Sequence, residues 1–292
     1  MTTEIITHNA EFEQKTGCEI ERKFLPVFPE SLEAYRSEAW PIEQFYLSHP
    51  SEDFSLRMRE ELKGGELVYT ATLKDKGKLT EDGISRMEVD VPVTPEIYDF
   101  YHTKDVPVLK KLRSEPLPGI IIDYYEDGSV QVESESPANW SEFIATHGDM
   151  FVDITGDRAG NNEWRAHLSF RRANGGSETL RPNMDLRPQD IVNDILMACR
   201  PGGTTVAHIA GRSGSGKSTI VREVRDQLSA LGVESVVLST DDYHRGNMWL
   251  VDHNGGEPWT KWDDAIVYDT ATMAKDLAEL QAGRPIWHRW ID

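Results

Sequence analysis

Eight short segments between residues 19 and 136 constrain this chain most, because charged and apolar residues alternate in each. They read "EIERKFL", "EQFYLS", "FSLRMREE", "LVYTATLKDK", "ISRMEVDVP", "PVLKKLR", "GIIIDYYED" and "SVQVESES". A period of two marks β-strands, whose successive side chains point to opposite faces. Turn signals such as "KGGE" and "EDGS" separate them, which favours antiparallel pairing of neighbours. Two helices interrupt the series. One is "PESLEAYRSEA". The other is "TPEIYDFYHTK", with Thr94 as its cap and Pro95 at its first position. The fold class expected is α+β, with antiparallel strands dominating as far as Arg172.

The charged faces carry the functional signal. Alternate positions group Glu19, Glu21 and Lys23; Arg57 and Arg59; Lys74 and Lys76; Arg86, Glu88 and Asp90; Lys111 and Arg113; and Glu133 and Glu135, with Asp123 on the strand between the last two groups. A sheet with one wet face also alternates. A merely solvated face, however, tends to mix signs, and here like charges recur within strands. The acids gather at the two ends of the series and the bases in its middle. A barrel brings those ends together, setting a carboxylate cluster opposite a basic wall. Carboxylates bind hard divalent cations, and Arg and Lys bind phosphate oxygens. The expected ligand is a metal–polyphosphate complex.

In "EIERK", which fits the pattern E-x-E-x-K, and in the ordered series "FSLRMR", "TATLKDKG", "SRMEVD", "LKKLR", "IIDYYEDG" and "VESES", the chain resembles the CYTH, or triphosphate tunnel metalloenzyme, family. The resemblance runs from Gly17 to about Arg171. It implies an eight-stranded antiparallel tunnel. It also implies that Glu19, Glu21, Glu133 and Glu135 bind Mg²⁺ or Mn²⁺. Lys23, Arg57, Arg59, Lys74, Lys76, Arg86, Lys111 and Arg113 would grip a triphosphate, with Glu21 and Lys23 catalytic. The implied activity is metal-dependent hydrolysis of inorganic tripolyphosphate or of a nucleoside or thiamine triphosphate. Two alternatives stand beside it: cyclisation of ATP, as in class IV adenylyl cyclases, and a polyphosphate- or nucleotide-sensing module that regulates an attached kinase. The departure lies in "DRAGNNEWRAHL", which keeps Asn161 or Asn162 where the family often has Tyr-x-Asn, but lacks the Tyr.

After "RRANGGSETLRPNMDLRP" the pattern changes. Residues 1–172 are expected to form the tunnel, 173–203 a linker with the short helix "DIVNDILMACR", and 204–292 an α/β domain. There "TTVAHIA" and "VESVVLS" read as buried parallel strands, and "STIVREVRDQLSALG" and "TATMAKDLAELQAG" as helices. "GRSGSGKST" has the G-x-x-x-x-G-K-[ST] spacing, opening a helix after an apolar run. Gly211, Ser213, Gly214, Ser215, Gly216, Lys217, Ser218 and Thr219 are the expected ATP-binding residues, with Ser218 on Mg²⁺. Asp241 or Asp242 in "STDDYHR" stands where such a sheet places its ligands. These segments, with "KWDDAIVYD" and "LAELQAGRPI", resemble the uridine kinase and phosphoribulokinase branch of P-loop kinases, which makes Asp241 the match for its catalytic Asp. Roughly seventy residues follow the loop, about half of what such a domain needs, so an incomplete kinase domain is expected.

Composition narrows the partners. The formal net charge of −19 opposes broad electrostatic binding to nucleic acid or to an anionic membrane. Two cysteines far apart in sequence, Cys18 and Cys199, suit neither a disulfide framework nor a metal knot. The polar N-terminus resembles no leader, and no apolar run reaches membrane-spanning length. A cytoplasmic protein is expected, with a triphosphate and ATP as its small-molecule partners.

Overall fold

Strand β1 (Thr16–Pro26) holds the architecture together because it pairs with three other strands. The computed structural model describes residues 16–148, 150–176, 187–200, 203–211, 214–262 and 264–286. The chain divides into two compact units, Met1–Ala198 and Cys199–Asp292.

In the first unit the strands are β2 (Trp40–Tyr46), β3 (Phe54–Lys63), β4 (Glu66–Asp75), β5 (Lys78–Thr80), β6 (Gly83–Pro92), β7 (Val108–Leu117), β8 (Ile120–Tyr125), β9 (Val130–Ser134) and β10 (Phe151–Asp153). Eight of them form a closed antiparallel ring in the order β1–β9–β8–β7–β2–β3–β4–β6, with β6 returning to pair with β1 over Thr16–Glu21. These eight are the strands that the alternation predicts. The short strands β5 and β10 flank β6 and β1. Closure removes sheet edges. At the β3–β4 turn, Gly64 and Gly65 have φ of 63° and 90°, the left-handed pair that a two-residue hairpin turn demands.

The apolar core lies outside the ring. Phe24, Ile120, Ile122, Tyr124 and Val132 pack against Leu32 of a 3-10 helix (Pro29–Glu38) and Phe143 of α2 (Pro137–His147). Helix α1 (Pro95–Tyr101), capped by the Thr94 side chain as expected, buries Tyr98 against Phe45 and Met58. Around β1, β4 and β6 the outer face is less covered: Ile20, Leu73 and Met87 remain exposed. Two more helices complete the unit. Asn161 caps α3 (Asn162–Ala173) through hydrogen bonds from Glu163 N and Trp164 N. The helix α4 (Pro188–Ala198) buries Ile191, Val192 and Leu196, and Asn193 donates to Asp157 at 2.8 Å. The segment expected as linker therefore contains a helix that docks on the barrel unit, while 177–186 and 201–202 lie outside the described residues.

In the second unit α5 (Lys217–Ala230) and α7 (Thr270–Gln281) match the two expected helices, and α6 (Asn247–His253) adds a third. The expected parallel sheet is not formed: among the described residues this unit contains no strand, and 204–210 and 233–239 run without ladder partners. Val236 is 66% exposed. Parallel strands are stable when helices cover both sheet faces. Here α5 buries only Val224 and Leu228, and α7 buries no side chain. Among the described residues no helix is long and apolar enough to cross a membrane.

Candidate functional site

The ring turns its charged faces inward around a cavity of about 500 Å³, within the usual span of ligand pockets, about 300–1,000 Å³. Eight cationic side chains line it: Lys23, Arg57, Arg59, Lys74, Lys76, Arg86, Arg113 and Arg158. Glu19, Glu21, Glu88, Asp90, Glu133 and Glu135 share the wall. Strand register places opposite charges across from one another: Glu19 beside Arg86, Lys23 beside Glu133, Lys74 beside Glu88, and Arg113 beside Asp123. Like charges along a strand are thus offset by unlike charges across strands.

The resulting pairs are close. Lys23 Nζ lies 3.0 Å from Glu133 Oε1 and 3.4 Å from Glu21 Oε1. Lys74 Nζ lies 2.9 Å from Glu19 Oε2 and contacts Glu88, which also meets Arg57 at 3.6 Å. Arg86 pairs with Glu21. Burial would raise the Glu133 carboxyl, but Lys23 and Arg113 hold it well below the ordinary range.

The cations are nevertheless under-supplied with acceptors. Among the described residues, the buried Nε–H groups of Arg57, Arg59 and Arg86 have no hydrogen-bond partner. Arg59 is held down to about 10, by burial first and then by the neighbouring charges of Arg57 and Arg113. Leaving a buried charged donor unmatched is costly. An anion entering the cavity supplies the missing acceptors and separates the like charges.

The carboxylates show the complementary tension. Glu19 is within hydrogen-bonding reach of both Glu88 and Glu135. Two carboxylates this close share a proton or a cation. Burial and Glu19 push Glu88 up, while Glu19 lies below its ordinary value, where Glu88 and Lys74 outweigh its own burial. An oxygen-only donor set of this kind suits a hard divalent ion. Among the described residues no three His, Cys, Asp or Glu side chains are already arranged as a metal site; Lys23, Lys74 and Arg86 occupy the carboxylates instead.

Lys111 departs from the expected set. Its side chain is fully buried, 2.5 Å from Asp123 Oδ2, and it is absent from the cavity wall. Asp123 also accepts from Arg113 Nε and Nη2, both at 2.8 Å. Lys111 supports the wall from behind because the side chain of Asp123 captures its ammonium before the cavity does.

Alternation groups Thr72 with Lys74 and Lys76 on one face of β4, whereas Glu163 and Arg158 lie outside the alternating strands. Thr72 donates to Asp90 at 2.5 Å. Glu163, at the start of α3, is buried and accepts from Lys76 Nζ at 3.2 Å and from Ser48. Arg158 sits over the Trp164 ring, 4.7 Å from its centroid. The capping signal Asn161–Asn162–Glu163 was legible in the sequence and marks the helix start that brings these groups to the cavity.

In the second unit α5 starts at Lys217, after Gly214 and Gly216 with φ of 75° and 86°. Those left-handed conformations are what a curled loop needs. Lys217 Nζ donates to the Gly211 carbonyl at 2.8 Å, across the loop. Ser215, Ser218 and Thr219 are exposed on it; Ser213 lies outside the described residues. Asp242 is spent on a capping box with Ser239, while the Asp241 side chain stays exposed. The backbone joins this segment to "KWDDAIVYD": His244 bridges Tyr268, and Arg245 N donates to the Val267 carbonyl.

No protein-family model matches the chain. Among solved structures, the inorganic triphosphatase NE1496 is 23% identical with a TM-score of 0.31, over 51% of this chain and 93% of that one. The PH1819 protein from Pyrococcus horikoshii OT3 is 18% identical with a TM-score of 0.33, over 46% of this chain and 93% of its own. A conserved hypothetical protein from Pyrococcus furiosus is 18% identical with a TM-score of 0.31, over 45% and 89%. At these scores the likeness carries no argument; the cavity's own geometry does.

Proposed function

We propose that the barrel binds and hydrolyses a triphosphate in a metal-dependent reaction, the activity that its resemblance to the CYTH family implies. The observation that carries this reading is the trio of unmatched guanidinium Nε–H groups, on Arg57, Arg59 and Arg86, around one cavity. A chain of phosphoryl groups is the ligand whose oxygens satisfy several such donors at once.

Arg57, Arg59 and Arg113 take phosphate oxygens, which relieves their mutual repulsion. Lys74, Lys76 and Arg86 exchange carboxylate partners for phosphate oxygens as the substrate enters. That exchange frees Glu19, Glu21 and Glu88, which together with Glu133 and Glu135 would hold Mg²⁺ or Mn²⁺. When bound, such an ion polarises the terminal phosphoryl group and makes its water more acidic. Water attacks the terminal phosphorus and the bond to the bridging oxygen breaks. Lys23, between Glu21 and Glu133, neutralises charge on the leaving phosphate, and Glu21 orients it. The protein contributes mainly positioning and charge stabilisation.

We further propose that residues 204–292 form a separate ATP site on Gly211–Thr219, with Lys217 on the phosphates, Ser218 on Mg²⁺ and Asp241 facing an acceptor hydroxyl. The helix N-terminus at Lys217 supplies backbone donors for phosphate.

The test is phosphate release from tripolyphosphate and nucleoside triphosphates with Mg²⁺ or Mn²⁺, in the intact chain and in Lys217→Ala. Turnover that persists in Lys217→Ala assigns the activity to the barrel. No release from any triphosphate with either ion refutes the reading.

A further inference from the structure

The helix α4 lies beyond the strands of the ring, yet it touches the cavity wall. Asn193 is buried and donates from Nδ2 to Asp157 Oδ2 at 2.8 Å. Its own Oδ1 accepts from Gln189 Nε2 at 2.8 Å, one turn back on the same helix. That second bond fixes the amide with its NH₂ toward Asp157, as it must be, since a carboxylate only accepts. The buried Ile191, Val192 and Leu196 seat the helix, so Asn193 is a fixed donor. The other Asp157 oxygen, Oδ1, accepts from Ala159 N at 2.9 Å and caps the 3-10 turn Arg158–Gly160. Asp157 and Arg158 both line the cavity.

The barrel holds the two ends of this segment itself. Ile154 N donates to the Lys23 carbonyl at 2.8 Å, and the Gly160 carbonyl accepts from Gln131 Nε2 at 3.3 Å. The helix α4 supports the stretch between. The charge pattern shows what that support does. Seven of the eight cavity cations have a carboxylate partner. Among the described residues Arg158 has none, although Asp157 precedes it in the chain; its contact is the Trp164 ring, 4.7 Å away. Asn193 and Ala159 N engage the two Asp157 oxygens, so the neighbouring guanidinium keeps its charge for an incoming anion.

We infer that α4 is part of the binding site, with Asn193 as a positioning residue that acts through Asp157 to hold Arg158 on the wall as a free cation for a substrate phosphate. This rests on the triphosphate reading of the same cavity. Without the Asn193 donor, an Asp157 oxygen turns to Arg158 and the capped turn loosens. Substrate binding weakens, while Glu21 and Lys23 on β1 are left as they were.

The experiment measures KM and kcat for tripolyphosphate and for ATP with Mg²⁺, in the full chain carrying Lys217→Ala so that turnover reports the barrel alone. Asn193→Ala should raise KM about tenfold, the worth of one charge-assisted contact, with kcat changed by no more than about twofold. A helix that only stabilised the fold would lower the active fraction, so kcat would fall at unchanged KM. The double variant Asp157→Asn/Asn193→Asp reverses donor and acceptor, keeps the bonds from Ala159 N and Gln189, and should return KM to the parent value or below. Adding Asn193→Ala to Arg158→Ala should raise KM no further than Arg158→Ala alone, because both act on one contact. Should Asn193→Ala fail to fold, Asn193→Asp, which sets two carboxylates against each other, is read in the same way. A KM unmoved by these single variants, a double variant without rescue, or effects that add to Arg158→Ala overturn the positioning role and leave the triphosphatase reading intact. Release from neither substrate by the parent overturns the triphosphatase reading, and the positioning role with it.

Discussion

Asp123→Asn isolates the charge group buried behind the cavity wall. Asp123 is fully buried, with Lys111 at 2.5 Å and two hydrogen bonds from Arg113 at 2.8 Å. Burial opposes its charge, but Arg113 and Lys111 hold its carboxyl below the ordinary value. Lys111 is pushed well below its own ordinary value, by burial first and then by Arg113. Neutral Asn therefore strands two cations facing each other at low dielectric. Removing one partner of a buried ion pair costs about 3–5 kcal/mol. In a unit of this size that lowers Tm by roughly 6–20 °C. Hydrogen exchange of the β7 and β8 peptides along a urea series reads the stability of this unit separately from the rest of the chain. Adding Lys111→Met removes one stranded charge and should restore about 1–3 kcal/mol. If Asp123→Asn lies within about 1 kcal/mol of the parent, or Lys111→Met restores nothing, the charges are not dependent on each other and Lys111 is not a support.

Arg57→Ala should raise KM for a triphosphate by about tenfold or more, the loss of a charge-assisted contact of about 1.5–3 kcal/mol, with a smaller fall in kcat; steady-state kinetics with Mg²⁺ decide it. Lys217→Ala should abolish equilibrium binding of a fluorescent ATP analogue to the second unit, and unchanged binding there would remove the phosphate-loop assignment. Acid should destabilise the barrel. Glu133 and Asp123 have depressed carboxyls, so their contributions are complete above the ordinary values of 4.5 and 3.8 and are lost as pH falls through the folded-state values. Glu88, raised chiefly by burial, acts in the opposite sense. Its stabilisation is complete below 4.5 and fades as pH rises. Urea titrations at pH 6 and pH 3 should show the lower stability at pH 3, and a more stable barrel at pH 3 would reverse the argument.

Period-two alternation made the eight ring strands legible, and with them the inward face of Arg57, Arg59 and Lys74. Register was not legible. That Arg113 stands opposite Asp123, and that Glu19 stands opposite Arg86, depends on which residues face each other across strands, and strand patterns are silent on that. Arg158, Glu163 and Trp164 escaped notice because a helix cap delivers them, outside the alternating segments. In the second unit apolar runs at 204–210 and 233–239 looked like strands on propensity alone. Strand formation is a property of the sheet, and among the described residues no partner strand meets them.

The closed ring with its interior of matched charges behaves like a bed of ion-exchange resin. Its fixed groups already hold one another as counter-ions, so an arriving polyanion trades places with Glu19, Glu21 and Glu88 instead of stripping mobile salt from an open basic surface. Charges enclosed in this way are screened far less than surface ones. Affinity for the ligand should therefore vary little with ionic strength, even in a protein whose net charge of −19 repels every polyanion that approaches from outside. Selectivity lies at the point of exchange, and the acidic exterior discourages polyanions too large to enter.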